Sequence, residues 1–318
     1  MNLLFLYAHM LYKTYHFIIR ILPFKLSIIK LAALLPPIFK SHLLFRVISN
    51  IATYCDQSTV IKSNLGINTN YKIEVSISHP IAAFGTPKLY TQEYATLYLL
   101  KELLKHSDAF IDVGANLGYF CFYMDEYNAA KKPIHFFEPD LKLFDQLQKN
   151  QHENGKNFIP HKLAISNTNT PINFYRNLTD DSSGSIKNTF ESKHQLEAVT
   201  IDSISFDEFA SSISEKNLLL KVDVEGAEFE FIDGASNRIQ SIDFLIIELL
   251  QDAIDQKFPE MMIEQYKFNA YYINNFNLKF SRKGEYKYVS PYYNWLFTKY
   301  EPSELKIKLT NTPFLVVS

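Results

Sequence analysis

One stretch constrains this chain more than any other: residues 110–120, FIDVGANLGYF. A short apolar run at 109–113 holds a single carboxylate, Asp112, and breaks at Gly114. Gly118 follows four residues on, and the apolar and aromatic segment 119–124 comes after it. An apolar run of this length closed by glycine predicts a buried strand, and the segment beyond predicts the first turn of a helix. Such a turn aims free backbone N–H groups and the positive helix end at a ligand. Gly114 and Gly118 suit the dihedrals and the close approach that the turn demands. By itself the turn predicts a nucleotide-like ligand in an α/β sheet.

The spacing separates two ligand classes. A dinucleotide fingerprint places its glycines as G-x-G-x-x-G. Here the second glycine position is Asn116 and the third is Tyr119, so a pyrophosphate loses its central close approach. Asp112 stands two residues before the first glycine, where an S-adenosylmethionine site needs an anion near the amino-acid end of the cofactor. A carboxylate at a buried strand end requires a partner, and an ammonium group is a fitting one.

The remaining strands follow in chain order. Residues 91–104 have helical spacing and lead into the central strand. Residues 134–137 read as a second strand that ends at Glu138. An acid there, about 20 residues past the glycines, is placed to accept hydrogen bonds from ribose hydroxyls. Asp140 is set to cap the following helix. Residues 158–165 read as a third strand, whose end at Ala164 is expected beside the adenine. Residues 167–200 read as a hairpin-like insertion at the carboxyl edge of the sheet, where such loops shape substrate entry.

The run 218–224, LLLKVDV, is a further buried strand in which Lys221 needs a partner, Asp223 or Glu228. Asp223 and Glu225, two residues apart at its carboxyl end, are expected on one side of the strand. There they can steer a hydroxyl, accept its proton or hold a divalent cation. Residues 243–249 make a fifth strand ending at Glu248, a further candidate for the acidic cluster. The aromatic carboxy-terminal third predicts an antiparallel pair that completes a mixed sheet.

Composition bounds the rest. A 318-residue chain that is 47% hydrophobic can bury the core of one catalytic domain plus an appendage. The net charge of −2 gives no electrostatic case for nucleic acid. Two cysteines, Cys55 and Cys121, are too few for a disulfide framework and form no CxxC zinc pair. Reduced thiols fit a cytoplasmic setting.

Residues 1–56 differ in character from the rest of the chain. No acid occurs before Asp56, while Lys13, Arg20, Lys25, Lys30, Lys40 and Arg46 punctuate apolar runs. No run reaches the roughly 20 apolar residues of a spanning helix. The pattern predicts basic amphipathic helices, broken at Pro23 and Pro36, that either lie on an anionic membrane surface or cap the catalytic domain.

The four stretches FIDVGANLGYF, HFFEPDLKLFDQLQKN, TIDS (200–203) and LLLKVDVEGAEFEFIDGA, with DFLIIEL behind them, resemble the FkbM family of S-adenosylmethionine-dependent methyltransferases. The resemblance spans about residues 90–300. It implies a class I methyltransferase fold: a seven-stranded mixed sheet with one antiparallel strand and helices on both faces. It also implies methyl transfer to a hydroxyl of a sugar, glycan or natural-product-like acceptor. Carried onto this chain, it puts Asp112, Gly114, Asn116 and Gly118 at the cofactor's amino-acid end and Glu138 at its ribose, with Asp223 and Glu225 from the DVEGAE motif as catalytic acids. The organisation expected is an extension at 1–56, a methyltransferase domain at 57–300 and a tail at 301–318. The basic extension favours a lipid-linked or membrane-proximal acceptor and a peripheral place on the inner membrane surface. Two rival readings are a catalytically silent scaffold docked to membrane and a dinucleotide-dependent oxidoreductase.

Overall fold

The computed structural model describes residues 24–34, 47, 51, 54–55, 60–64, 72–76, 94–177, 184–187, 196–274, 276–281 and 294–317. The chain divides into two compact units, Met1–Pro87 and Lys88–Ser318. In the first, helix α1 (Lys25–Leu34) is followed by strands β1 (Val60–Asn64) and β2 (Lys72–Ser76), which pair antiparallel from Val60 opposite Ser76 to Asn64 opposite Lys72. α1 contains no acidic residue; Phe24, just before it, and Leu31 within it are 79% and 69% exposed. The expectations for the rest of residues 1–56 lie outside the described residues. Among the described residues no helix is long and apolar enough to cross a membrane.

The second unit begins with α2 (Tyr94–Leu104), β3 (Ala109–Val113), α3 (Tyr119–Glu126), β4 (Ile134–Phe137), α4 (Leu141–Glu153) and β5 (Ile159–His161). Then come β6 (Ala164–Ser166), β7 (Ile172–Asn177), β8 (Leu196–Ile201), β9 (Ser203–Ser205), α5 (Phe206–Ser212), β10 (Leu218–Val222) and α6 (Glu228–Asp233). The chain continues through β11 (Ile242–Glu248), α7 (Gln251–Asp255), α8 (Phe258–Glu264), β12 (Asn269–Asn274), β13 (Asn277–Ser281), β14 (Asn294–Thr298), α9 (Pro302–Lys308) and β15 (Leu315–Val317).

The main sheet runs β15-β13-β12-β14-β11-β10-β3-β4-β5. Strands β3, β4 and β10 are buried along their whole length and β11 along most of it, which explains their near-continuous apolar sequences and their parallel pairing. Ile111, Val113, Leu220, Val222, Leu245 and Ile247 belong to one core with Phe206, Phe231 and Phe258 of the helices.

Among the described residues the sheet therefore has nine strands, where seven were expected. β14 reverses against both β11 and β12, and β13 reverses again against β12, with β15 added parallel to it. Three strands thus run against the other six, where one was expected. The two additional strands come from NLKFS, a hairpin partner of β12, and from LVV at the end of the chain. Residues 302–317, grouped as a tail on sequence grounds, supply α9 and β15.

The strand expected at 158–165 divides in two. β5 carries Pro160 at the sheet edge, where a missing N–H is tolerated. β6 turns away to pair in parallel with β9. The expected insertion hairpin is β7 with β8, in register from Ile172 opposite Ile201 to Asn177 opposite Leu196.

Candidate functional site

The carboxyl ends of β3, β4 and β10 open onto one cleft of about 890 Å³, solvent at its mouth included. Its floor is made by three loops. After β3, Gly114 adopts φ 81°, Asn116 φ 51° and Gly118 φ 80°. Asparagine is one of the few non-glycine residues that tolerate this left-handed region. A Cβ on Gly114 would stand 1.9 Å from the carbonyl oxygen of Asp223, and one on Gly118 would stand 2.9 Å from Leu147 Cγ. Both glycines thus let protein approach protein: the β10 loop lies on the first and helix α4 on the second. Gly114 lines the cleft; Gly118 is not among the lining residues.

The turn departs from expectation in its hydrogen bonds. The N–H groups of Gly114 and Ala115 both donate to the Phe137 carbonyl, at 3.0 Å each, and Gly118 N–H donates to Ala115 at 2.8 Å. Asn116 N–H donates to Glu138 Oε2 at 2.7 Å. These donors are spent on the end of β4 and on the turn itself rather than left free for a ligand. The β4 carbonyl and the Glu138 carboxylate reach them first.

Glu138 is buried at the cleft wall, accepting from Asn116 N–H through one oxygen and from Asp140 N–H at 2.9 Å through the other. Burial pushes its carboxyl up to about 8, against the lowering effect of the two backbone donors. Each oxygen retains a lone pair, so the group can still accept from a ligand hydroxyl. Asp140 caps α4 through Lys142 and Leu143 N–H groups.

Asp112 sits lower. It is 1% exposed, takes a 3.3 Å bond from Cys121 Sγ and is not among the cleft-lining residues. Burial pushes its carboxyl up to about 7, opposed by Cys121 and by Lys221.

β10 ends at Val222, so Asp223 and Glu225 belong to a loop and the two-residue alternation of a strand does not place them. Asp223 N–H is bonded to Val113 O at 2.9 Å, and Glu225 adopts φ 50° ahead of Gly226 at φ 101°. The loop nevertheless brings both acids to the cleft. The Asp223 side chain is 32% exposed, and its Oδ2 lies 3.5 Å from Lys221 Nζ. Glu228, the other partner considered for Lys221, opens α6 and accepts from Gly226 N–H at 2.9 Å. Glu248 ends β11 and is not among the lining residues. Among the described residues no group of three or more His, Cys, Asp or Glu could hold a metal ion.

Ala164 lines the cleft with Leu163 and Ile165, an apolar surface suited to a flat base. Another wall is the hairpin, expected at substrate entry, though sequence reasoning assigned none of its residues to the site. Phe174 and Arg176, on one face of β7, line the cleft together with Ser185 and Ile186. Ser185 holds the wall by exchanging backbone hydrogen bonds with Tyr175, at 2.7 and 3.2 Å. Arg176 Nε is bonded to Asp140 Oδ2, and Nη1 to Glu197 Oε2 at 3.0 Å on the neighbouring strand. The signal available was a lone arginine in the otherwise uncharged INFYRN. The donor set fits S-adenosylmethionine: a buried acid for hydroxyls, an apolar slot for a base, and acids facing a cationic centre.

Comparison with known proteins agrees. Residues 112–280, more than half of the chain, match the family model described as the methyltransferase FkbM domain. The hexuronic acid methyltransferase AglP of Haloferax volcanii is 29% identical over 181 residues, which cover 56% of this chain and 70% of that protein. Among solved structures, methyltransferase FkbM from Methylobacillus flagellatus KT is 15% identical with a TM-score of 0.41, over 86% of this chain and 58% of that one. The Pyrococcus abyssi tRNA (uracil-54, C5)-methyltransferase, in complex with S-adenosyl-L-homocysteine, is 7% identical with a TM-score of 0.40, over 75% and 43%. With the family model spanning the glycine turn, the Glu138 strand end and the Asp223 loop, this chain belongs to the FkbM family of S-adenosylmethionine-dependent methyltransferases.

Proposed function

We propose that this enzyme methylates a hydroxyl oxygen of a sugar, glycan or similar acceptor, with Asp223 and Glu225 as the catalytic acids. The observation that carries the reading is their convergence with Glu138 and Gly114 on one cleft. A sugar acceptor is supported by the likeness to a hexuronic acid methyltransferase. S-adenosylmethionine supplies an already activated methyl group when bound. Glu138 would hold its ribose hydroxyls and Ala164 its adenine. Its amino-acid end would lie against Gly114 and Asn116 in the cleft lining, with Gly118 and Asp112 shaping the turn from beneath.

The chain's own task is alignment and proton removal. An aliphatic hydroxyl does not ionise beforehand, so a carboxylate at Asp223 or Glu225 accepts its proton as the new bond to oxygen forms.

The test is tritiated methyl transfer to a panel of glycosides and glycuronides, alongside calorimetric titration of S-adenosylhomocysteine. Glu225→Gln and Asp223→Asn are expected to retain cofactor affinity while turnover falls by about 10²- to 10⁴-fold. Unchanged turnover in both would remove their role. Binding without transfer to any acceptor would favour the scaffold.

We further propose that residues 1–56 hold the enzyme on the cytoplasmic face of an anionic membrane. Support comes from exposed Phe24 and Leu31 beside Lys25 and Lys30, in a segment with no acid before Asp56. Full-length protein is expected to sediment with phosphatidylserine vesicles, and a chain starting at Gln57 is not. Equal sedimentation of the two would refute it.

A further inference from the structure

Lys221 is the one charged residue of β10, a strand otherwise composed of leucine and valine, and it is fully buried, 0% exposed. Stripping water from an ammonium costs several kcal/mol, so its surroundings must answer for it. Nζ donates to the Val222 carbonyl at 3.3 Å, lies 3.5 Å from Asp223 Oδ2 and stands 5.2 Å from the centre of the Phe120 ring. Phe120 belongs to α3, immediately after the glycine turn. Across the sheet Lys221 is in register with Asp112, but the Asp112 carboxylate is bonded to Cys121.

The same cation also acts on buried Asp112, lowering a carboxyl whose hydrogen-bond partner is Cys121. Replacing a whole buried ion pair by apolar residues is commonly neutral or stabilising, while removing one partner alone is costly where the other stays buried. The carboxylate that loss of Lys221 would leave behind, on Asp223, is reached by solvent. What the lysine does that a methionine cannot is fix that carboxylate from below.

We propose that Lys221 is a positioning residue for Asp223: its ammonium draws Oδ2 inward and leaves Oδ1 turned to the point of methyl transfer. The assignment rests on the reading of Asp223 given above. It also joins the two halves of the site, because the same ammonium rests on the ring that follows the glycine turn.

The test avoids any dependence on the acceptor. Sinefungin carries an amine where the cofactor carries its sulfonium methyl, so the ratio of its affinity to that of S-adenosylhomocysteine reports on the carboxylate at that point. Wild type is expected to prefer sinefungin, and Asp223→Asn to lose the preference. Lys221→Met is expected to lower the ratio at least threefold while S-adenosylhomocysteine affinity and melting temperature hold. The same change made in Asp223→Asn should not lower it. Lys221→Arg should recover part of the loss.

A wild-type ratio in Lys221→Met overturns the assignment, as does a ratio raised because only a repelling cation has gone. A wild-type ratio in Asp223→Asn instead overturns the placing of Asp223 itself. If Lys221→Met does not fold, Lys221→Arg, which keeps the charge and moves it, must lower the ratio at a retained melting temperature; a wild-type ratio there overturns the proposal.

Discussion

The floor and the wall of the cleft are built by different means. The floor is main chain against main chain: Gly114 and Ala115 bonded to Phe137, Asp223 bonded to Val113, and a glycine hydrogen where any Cβ would strike the Asp223 carbonyl. The wall meets its neighbours through side chains. Arg176 joins Asp140 at the start of α4, and Lys187 lies 2.9 Å from Glu230 on α6. Partly exposed ion pairs of this kind contribute about 0–1 kcal/mol each, whereas forcing backbones apart has no inexpensive solution. One part of the site is fixed by backbone hydrogen bonds and close main-chain contact, and the other is held by side-chain ion pairs that exchange readily with water.

The sharpest way to break this contrast is a pair of glycine substitutions. Gly114→Ala meets both an unfavourable φ and the Asp223 carbonyl, and should lower stability by roughly 3 kcal/mol or more. Gly184→Ala on the wall meets the tip of the Phe174 ring, a side-chain end that must swing aside rather than a backbone atom, and should lose only about 1–2 kcal/mol. Urea titration measures both. Equal losses would show that the wall is as rigid as the floor.

Glu138→Gln comes next, because an amide presents an N–H₂ to one of two backbone donors and cannot satisfy both. S-adenosylhomocysteine affinity should drop about tenfold or more. The pH dependence sharpens the point. The folded pKa of Glu138, about 8, lies above its ordinary value. Its contribution to the stability of the ligand-free protein is therefore fully present below the ordinary carboxylate range and is lost as pH rises through about 8. Asp112 behaves the same way around 7. Urea midpoints from pH 5 to 9 should fall with pH, and less steeply in Glu138→Gln. Ribose hydroxyls prefer the ionised acceptor, so cofactor affinity should rise toward pH 8 with release of a proton, visible by calorimetry in buffers of different ionisation enthalpy.

The smallest effect is expected at Arg176→Met, with a stability change within about 1 kcal/mol and a three- to fivefold weaker S-adenosylhomocysteine affinity. A larger loss of stability than at Gly114 would invert the comparison.

The same contrast explains what could be read in the sequence. Gly114, Asn116 and Glu138 were legible because their dihedrals and strand-end position are dictated locally, within some 25 contiguous residues. The spending of the turn's N–H groups on Phe137 and Glu138 was not legible, since it depends on how closely β4 lies beside β3. Asp223 and Glu225 were found for a reason the structure replaces: a loop with Glu225 in the left-handed region, not strand alternation, brings them to the cleft. The hairpin at 167–200 was legible, but Arg176 and Ser185 escaped because local alternation does not say which of its residues face the cleft or that Ser185 bridges to Tyr175. β15 escaped because three residues carry too little periodicity.

The outermost strands of the main sheet, β5 and β15, are three residues long, and β5 carries a proline that cannot donate. A broad sheet normally offers at each border a long template for another chain to add a strand and begin aggregation. Here each border offers less than 10 Å or so of ladder, one of them with a donor deleted. Each border thus offers another chain little backbone to pair with, although Ile159 on one and Leu315 and Val317 on the other expose apolar side chains.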